Sequence, residues 1–370
     1  MDRFRRMDAD LVAREQWEWD PIEWSPGREW YTWARTGLRH RVAQQATETI
    51  GARRVPYRVA VAAFHRLHAE LVECAARKAA DLYYGGAGGA LAAVALAAAR
   101  HRVQFAVDVE DFHTGEVPEK STRHTIIERV ETSVLGDAAL VTAGSPAIAD
   151  AYRRKYGVRP VAICNTFPLP PLAPALEPRQ NPGLRLYWFS QTIGPGRGLE
   201  TVVDALALGE VHGELHLRGA VDGSYAEALR QRIAPLAPRL RIELHPVESP
   251  ERMIDLCRDY DVGLAPEPCS SMNNGLILSN KALTYPLAGL ALVLTDTAGH
   301  RPLIADLGAD AIVYKPGDVE ALARGLKTWS ADKAALRRAM AASWRAATGR
   351  WHWDGQDREA LLSAVGNVFN

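Results

Sequence analysis

Lys281 stands where a positive charge does nothing for local stability. Residues 262–296 read VGLAPEPCSSMNNGLILSNKALTYPLAGLALVLTD. The pattern predicts a short apolar strand, a polar loop ending in Ser279-Asn280-Lys281, a helix, and a second apolar strand. Ser279 has an N-cap side chain, and Gly289 marks where the helix stops. Lys281 therefore falls in the first turn, where free amides already carry partial positive charge and a cation is disfavoured. An anion docked on that terminus reverses the argument, and phosphate is the anion helix N-termini most often hold. The competing explanation is a lysine that merely points into solvent.

A second candidate lies earlier in the chain. LRLYWFS (184–190) predicts a strand; QTIGPGRG follows, then LETVVDALAL with helical periodicity. A strand, a glycine-rich loop and a helix bring backbone amides close to a pyrophosphate. Gly194, Gly196 and Gly198 permit close approach, and Arg197 adds a planar guanidinium matched to two phosphate oxygens. No Gly-Lys-Ser/Thr follows, and the glycine spacing is not that of a dinucleotide fingerprint. The next strand, ELHLRG, ends in Arg218-Gly219 rather than in the acid that holds a NAD ribose. A tight structural turn explains this loop taken alone. Two anion sites at strand-to-helix turns of one α/β domain carry more weight.

Together these stretches resemble the donor-binding domain of family 4 glycosyltransferases, enzymes of GT-B architecture with two facing Rossmann-like domains. The resemblance runs from about residue 80 to the C-terminus. In FSQTIGPGRGLETVVDAL, Arg197 falls where the family carries a basic residue on the donor diphosphate, and Gln191 replaces a second one. In LSNKALTYPLAGLALVLTD, Lys281 matches the other diphosphate contact, with Ser279 and Asn280 beside it. Many members carry two glutamates eight positions apart here. Thr284 and Leu276 occupy those positions, so the pair is absent, and Glu267 in LAPEP is the nearest carboxylate. The resemblance implies a UDP-, GDP- or dTDP-linked sugar as substrate, a saccharide or lipid-linked acceptor, and surface polysaccharide or glycoconjugate synthesis. It implies retention of anomeric configuration, with Arg197, Lys281 and helix amides stabilising the leaving diphosphate. Neither a metal nor a cofactor is then needed.

For the acceptor half the best stretch is RVQFAVDVEDFHTGE. Asp108, Glu110 and Asp111 are predicted at the C-terminal end of a buried strand, where open α/β sheets bind ligands. Clustered carboxylates repel one another, which raises the pKa of one and lets it trade protons. Glu110 is the first choice for a catalytic group, with Asp108 and His113 behind it. The alternative is that these residues cap the loop and the next helix.

Positioning these groups requires two α/β domains, and 370 residues supply them. Helix is predicted over 59–80, 87–101, 122–135 and SPAIADAYRRKYG, and strands start at Leu82, Val103, Ala139 and Val161. Strands alternating with helices indicate parallel, doubly wound sheets. TFPLPPLAPALEPRQNPG then carries prolines at 168, 170, 171, 174, 178 and 182, which marks a stiff linker over 166–183. The alternation restarts at Leu184 and runs through six strands to Tyr314. The resulting division is a Trp-rich segment 1–58, an acceptor-side domain 59–165, the linker, a donor domain 184–350, and a helix over 351–370 crossing back to the first domain.

Composition narrows the function further. With 44 basic and 44 acidic residues, no charge imbalance points to nucleic acid. Four scattered cysteines lack a metal-type pair spacing and read as reduced thiols of a cytoplasmic enzyme. The run 90–99 is too short to span a bilayer, and MDRFRRMDAD lacks a signal-peptide core. The first domain has no opening strand of the GT-B kind before Leu82, so that strand is expected at an open sheet edge. The segment holding Trp17, Trp19, Trp24, Trp30 and Trp33, a second subunit, or residues upstream of the assigned start would cover it. The tryptophans would otherwise suit the inner face of a membrane. Three rival readings are a nicotinamide oxidoreductase, a sugar-nucleotide epimerase of the same architecture, and a non-catalytic partner subunit.

Overall fold

The computed structural model describes residues 2–179 and 183–370, so Pro182 of the linker lies outside the described residues. The chain divides into two compact units. One comprises residues 1–142, 150–160 and 367–370, and the other 143–149 and 161–366.

Four parallel strands run in the order β1-β2-β3-β4: β1 Leu82–Gly86, β2 Gln104–Asp108, β3 Leu140–Ala143 and β4 Val161–Ala162. All lie within two residues of the starts expected from the sequence. The helix Ala87–His101 connects β1 to β2 and packs on both. Four of its six buried residues are alanine (Ala92, Ala93, Ala97, Ala98), beside Leu91 and Val94, which lets backbone and sheet approach closely. Strand β1 is the edge of this sheet, as expected, and among the described residues no strand pairs its outer side.

The helix expected over 59–80 is instead two, Tyr57–Phe64 and His68–Ala75. The break has a packing reason. His65 turns extended and lays its ring on Gly89, where an added Cβ would meet it at 2.7 Å. Arg66 then stacks between Trp24 and Trp33, 4.9 and 5.3 Å from their ring centres, and donates to Thr36 Oγ1 and the Trp33 carbonyl. The Trp-rich segment is thus held to the helical layer, with Asp20 and Glu18 paired to Arg77 and Lys78 just before β1.

The second unit is a six-stranded parallel sheet in the order β10-β9-β8-β5-β6-β7. Its strands are β5 Leu184–Ile193, β6 Gly213–Val221, β7 Leu240–His245, β8 Val262–Ala265, β9 Ala291–Thr295 and β10 Ile312–Tyr314. The chain winds outward from β5 to β7, returns to β8, and winds the other way. The order reverses between β5 and β8, the point where doubly wound sheets open a crevice for ligands at their carboxyl ends. The core is built of aliphatic and aromatic side chains on both faces, including Leu186, Trp188, Leu264, Leu292 and Val293.

The tail departs from expectation. Its helix is shorter, Arg358–Gly366, and groups with the second unit, although 367–370 return to the first. Asp357 accepts hydrogen bonds from the Cys164 amide and the Thr166 hydroxyl, and the helix packs on β4. Those contacts draw residues 161–165 out of the unit to which sequence alternation assigned them.

Candidate functional site

The donor half is built at the switch point. Strand β5 continues past Ser190 to Ile193 through an irregularity between Phe189 and Thr192, so Gln191 lies exposed on the strand end and not in the loop. The loop 194–198 follows, with Gly196 and Gly198 both left-handed at φ +71° and +76°. At Gly198 the requirement is double. A Cβ there would sit 2.0 Å from the Pro266 carbonyl oxygen, so only glycine lets this loop close on the end of β8. Arg197, between the two glycines, is exposed and has no hydrogen bond or ion pair among the described residues.

The second turn is brought in by another close approach. Gly263 in β8 faces the Tyr285 ring, where a Cβ would fall 2.3 Å away, and this seats the helix Asn280–Leu287 directly on the strand. Ser279 caps the helix by accepting from the Ala282 amide, as its sequence position predicts, and Asn280 is exposed. Lys281 does not point freely into solvent. Its ammonium lies 3.0 Å from Glu267 Oε1, with both side chains about 14 % exposed, and 5.8 Å from the centre of the Trp188 ring.

Burial would raise the pKa of Glu267, but the charges of Lys281 and His300 and a hydrogen bond from Ser279 outweigh it and hold the carboxyl below its ordinary value. His300 is fully buried, which lowers its pKa. Its Nδ1 lies 3.0 Å from the Thr295 carbonyl. Around Lys281 the buried atoms Trp188 Nε1 and His300 Nε2 find no protein partner, and the ammonium meets Glu267 Oε1 off the direction of a hydrogen bond. Buried polar atoms are otherwise almost always paired. Their concentration at the carboxyl end of the sheet fits a polar ligand or ordered water.

Two expected donor contacts are corrected. Thr284 is buried and its hydroxyl donates to the Asn280 carbonyl at 2.7 Å, so it serves its own helix. Arg218 is buried and donates to the Tyr187 hydroxyl and the Pro246 carbonyl, so it braces neighbouring segments. A guanidinium at a strand end looks the same in the sequence whether it faces a ligand or a buried phenol.

In the first unit, Asp108 ends β2 and accepts from Thr142 Oγ1 at 2.9 Å and from the Glu110 amide at 3.2 Å. It is a brace for the loop. Glu110 is exposed and has φ +33°, a strained value for a side-chain-bearing residue. His113 is buried on a short turn, and its Nδ1 donates to Glu131 Oε1 at 2.9 Å. Tyr152 donates to the same oxygen at 2.6 Å and Tyr156 to the other at 2.5 Å. Burial opposes protonation of His113, but the Glu131 carboxylate wins and its pKa is raised. Glu116 is also raised, chiefly by burial; it, together with Glu110, Asp111, His113 and Arg123, lines a cavity of about 240 Å³.

Glu131 escaped the sequence reading. The signal was there: IIERVETSV places a glutamate on the same helical face as Ile127 and Val134, and a carboxylate on an apolar stripe needs buried donors.

No family model matches the sequence, and no curated protein matches it. Solved structures do. The Anabaena HepE structure in complex with UDP superposes with a TM-score of 0.62 at 18 % identity, covering 81 % of this chain and 82 % of that one. Sucrose-phosphate synthase from Thermosynechococcus elongatus gives 0.62 at 17 % identity, over 85 % and 79 %. The lipopolysaccharide outer core galactosyltransferase WaaB gives 0.55 at 12 % identity, over 82 % and 79 %. At such identities the likeness defines the fold, which is that of GT-B glycosyltransferases: two α/β units with parallel sheets.

Proposed function

We propose that this protein transfers a sugar from a nucleoside-diphosphate donor to an acceptor hydroxyl, with retention of configuration as the family 4 resemblance implies. One observation carries the reading: the unpaired Arg197 and the helix-capping turn of Lys281 converge at the switch point of one sheet, joined through the Gly198–Pro266 contact. The UDP and UDP-glucose named for the HepE structures, which share this fold, support it. Breaking the glycosidic bond leaves charge on the diphosphate. Arg197, Lys281 and the amides of the Asn280–Leu287 helix would stabilise that charge. A metal or cofactor has no role in this scheme, and the acceptor belongs to saccharide or lipid-linked chemistry.

In a retaining transfer the departing diphosphate takes the acceptor proton, and Glu110, Asp111 and Glu116 bind hydroxyls. A second reading is favoured by the His113–Glu131 pair, since an oriented imidazole is what an inverting transfer uses as its base. The test is incubation with a panel of UDP-, GDP- and dTDP-sugars, with and without acceptor saccharides, followed by NMR of the product. Product of the donor's own anomeric configuration supports retention and the opposite configuration supports His113 as base. Isomerised donor alone means an epimerase. Binding of a donor without turnover under any condition means a non-catalytic partner, and failure to bind any donor refutes the proposal.

A further inference from the structure

The N-terminal helical layer carries an outward face that the fold does not explain. On the helix Trp30–Ala46 the buried residues are Thr36, Gly37 and Ala43, so the opposite side looks to solvent. That side presents Tyr31, Leu38 and Val42, which are 63, 65 and 60 % exposed, with Trp30 at 67 % at one end. Residues 31, 38 and 42 stand seven and four apart, one stripe of a helix. Beside the stripe a trough of about 690 Å³ runs between this helix and the helices Tyr57–Phe64 and His68–Ala75; Leu38, Val42, Val59 and Ala62 line it. Large exposed apolar residues grouped in this way mark an interaction surface.

The charge around the stripe selects the partner. Residues 28–66 contain eight arginines against two glutamates, with no lysine or aspartate, in a chain whose net charge is zero. Arg35 and Arg39 are tied to Glu70, and Arg66 to the tryptophans. Arg28, Arg41, Arg53, Arg54 and Arg58 are exposed and have no carboxylate partner among the described residues. A second copy of the chain docking through this face would set like charges against each other, at a cost in affinity. An anionic bilayer meets every feature. Its headgroup phosphates take the guanidinium groups, the stripe enters the acyl boundary, and Trp30 and Tyr31 lie at the interface that aromatic rings favour. No described helix is long and apolar enough to cross a membrane, so the contact is to one leaflet.

We propose that this face docks the protein on an anionic phospholipid surface. The proposal is independent of the sugar-transfer reading, because none of its residues belongs to either candidate site. The experiment is flotation of the full chain with phosphatidylcholine vesicles, with and without about 30 % phosphatidylglycerol. The parent should float only with the anionic vesicles and detach at high salt. The triple variant Arg53→Gln/Arg54→Gln/Arg58→Gln should lose roughly a hundredfold in partitioning, about fivefold per charge removed. The pair Leu38→Glu/Val42→Glu should abolish flotation. Both variants alter exposed side chains, so the melting midpoint and the circular dichroism spectrum should match the parent and show that the fold persists. Absence of flotation by the parent, equal flotation with neutral vesicles, or unchanged flotation of the folded variants overturns the proposal. A parent dimer that Leu38→Glu/Val42→Glu converts to monomer, without lipid binding, assigns the face to a second copy and overturns it equally.

Discussion

Arg197 and Lys281 offer the sharpest test of the donor site because their environments differ. Arg197 is exposed and unpaired, so Arg197→Ala should leave stability within about 0.5 kcal/mol of the parent. If its guanidinium holds a diphosphate, the variant loses a charge-assisted contact of about 1.5–3 kcal/mol, roughly ten- to a hundredfold in affinity. Lys281→Ala removes a similar contact but also strands Glu267, whose carboxylate is about 13 % exposed and faces the ammonium at 3.0 Å. Breaking such a pair from one side costs about 3–5 kcal/mol, so this variant should lose both stability and affinity. Adding Glu267→Gln relieves the stranded charge. The double variant should regain most of the stability and none of the affinity. Calorimetry with UDP, GDP and dTDP reads the binding, and urea unfolding reads the stability. Parent-like affinity for the best nucleotide in Arg197→Ala and in the double variant would refute the site. Restored affinity in the double variant would show that Lys281 acts only by neutralising Glu267.

Three further outcomes follow from the first unit. Glu110→Gln should leave the melting midpoint almost unmoved, since the side chain is exposed, while sugar transfer falls sharply; unchanged turnover removes Glu110 from the reaction. His113 titrates above its ordinary value near 6.5 when folded, so its stabilising contribution is full below about 6.5 and is lost as pH climbs through the raised value. Melting midpoints over that window should therefore fall with pH in the parent and flatten in His113→Asn; parallel curves would mean the Glu131 pair contributes nothing. Hydrogen exchange in a dilute monomeric sample should be fast along the outer edge of β1 at 82–85, and protection there would show that another segment covers the strand.

The strands were legible because buried parallel strands are short apolar runs between turn residues, and the nine that the pattern placed stand close to where it puts them, while Leu240–His245 was counted without a position. Ser279 and Gly198 were legible for the same local reason: capping and positive φ leave their mark on single residues. What the sequence hid was partnership. Nothing local distinguishes Arg218, spent on a phenol and a carbonyl, from Arg197, spent on nothing. The helix break at His65 was hidden too, since its cause is a glycine in a different helix. Likewise Lys281 met a buried glutamate from a neighbouring strand end, and Glu131 met two tyrosines twenty or more positions away.

The contact between Gly198 and Pro266 has a bearing on how such a site can be redesigned. Backbone pressed against backbone has no side chain to swap, so the two turns form one mechanical part. Lengthening the segment 266–278 to admit a larger ligand would carry Arg197 along with it, and reshaping the glycine loop would shift the strand end that bears Glu267. Variation in what the pocket accepts must therefore come from residues standing off that junction, such as Gln191 and Asn280, both exposed and both free of the hinge they flank.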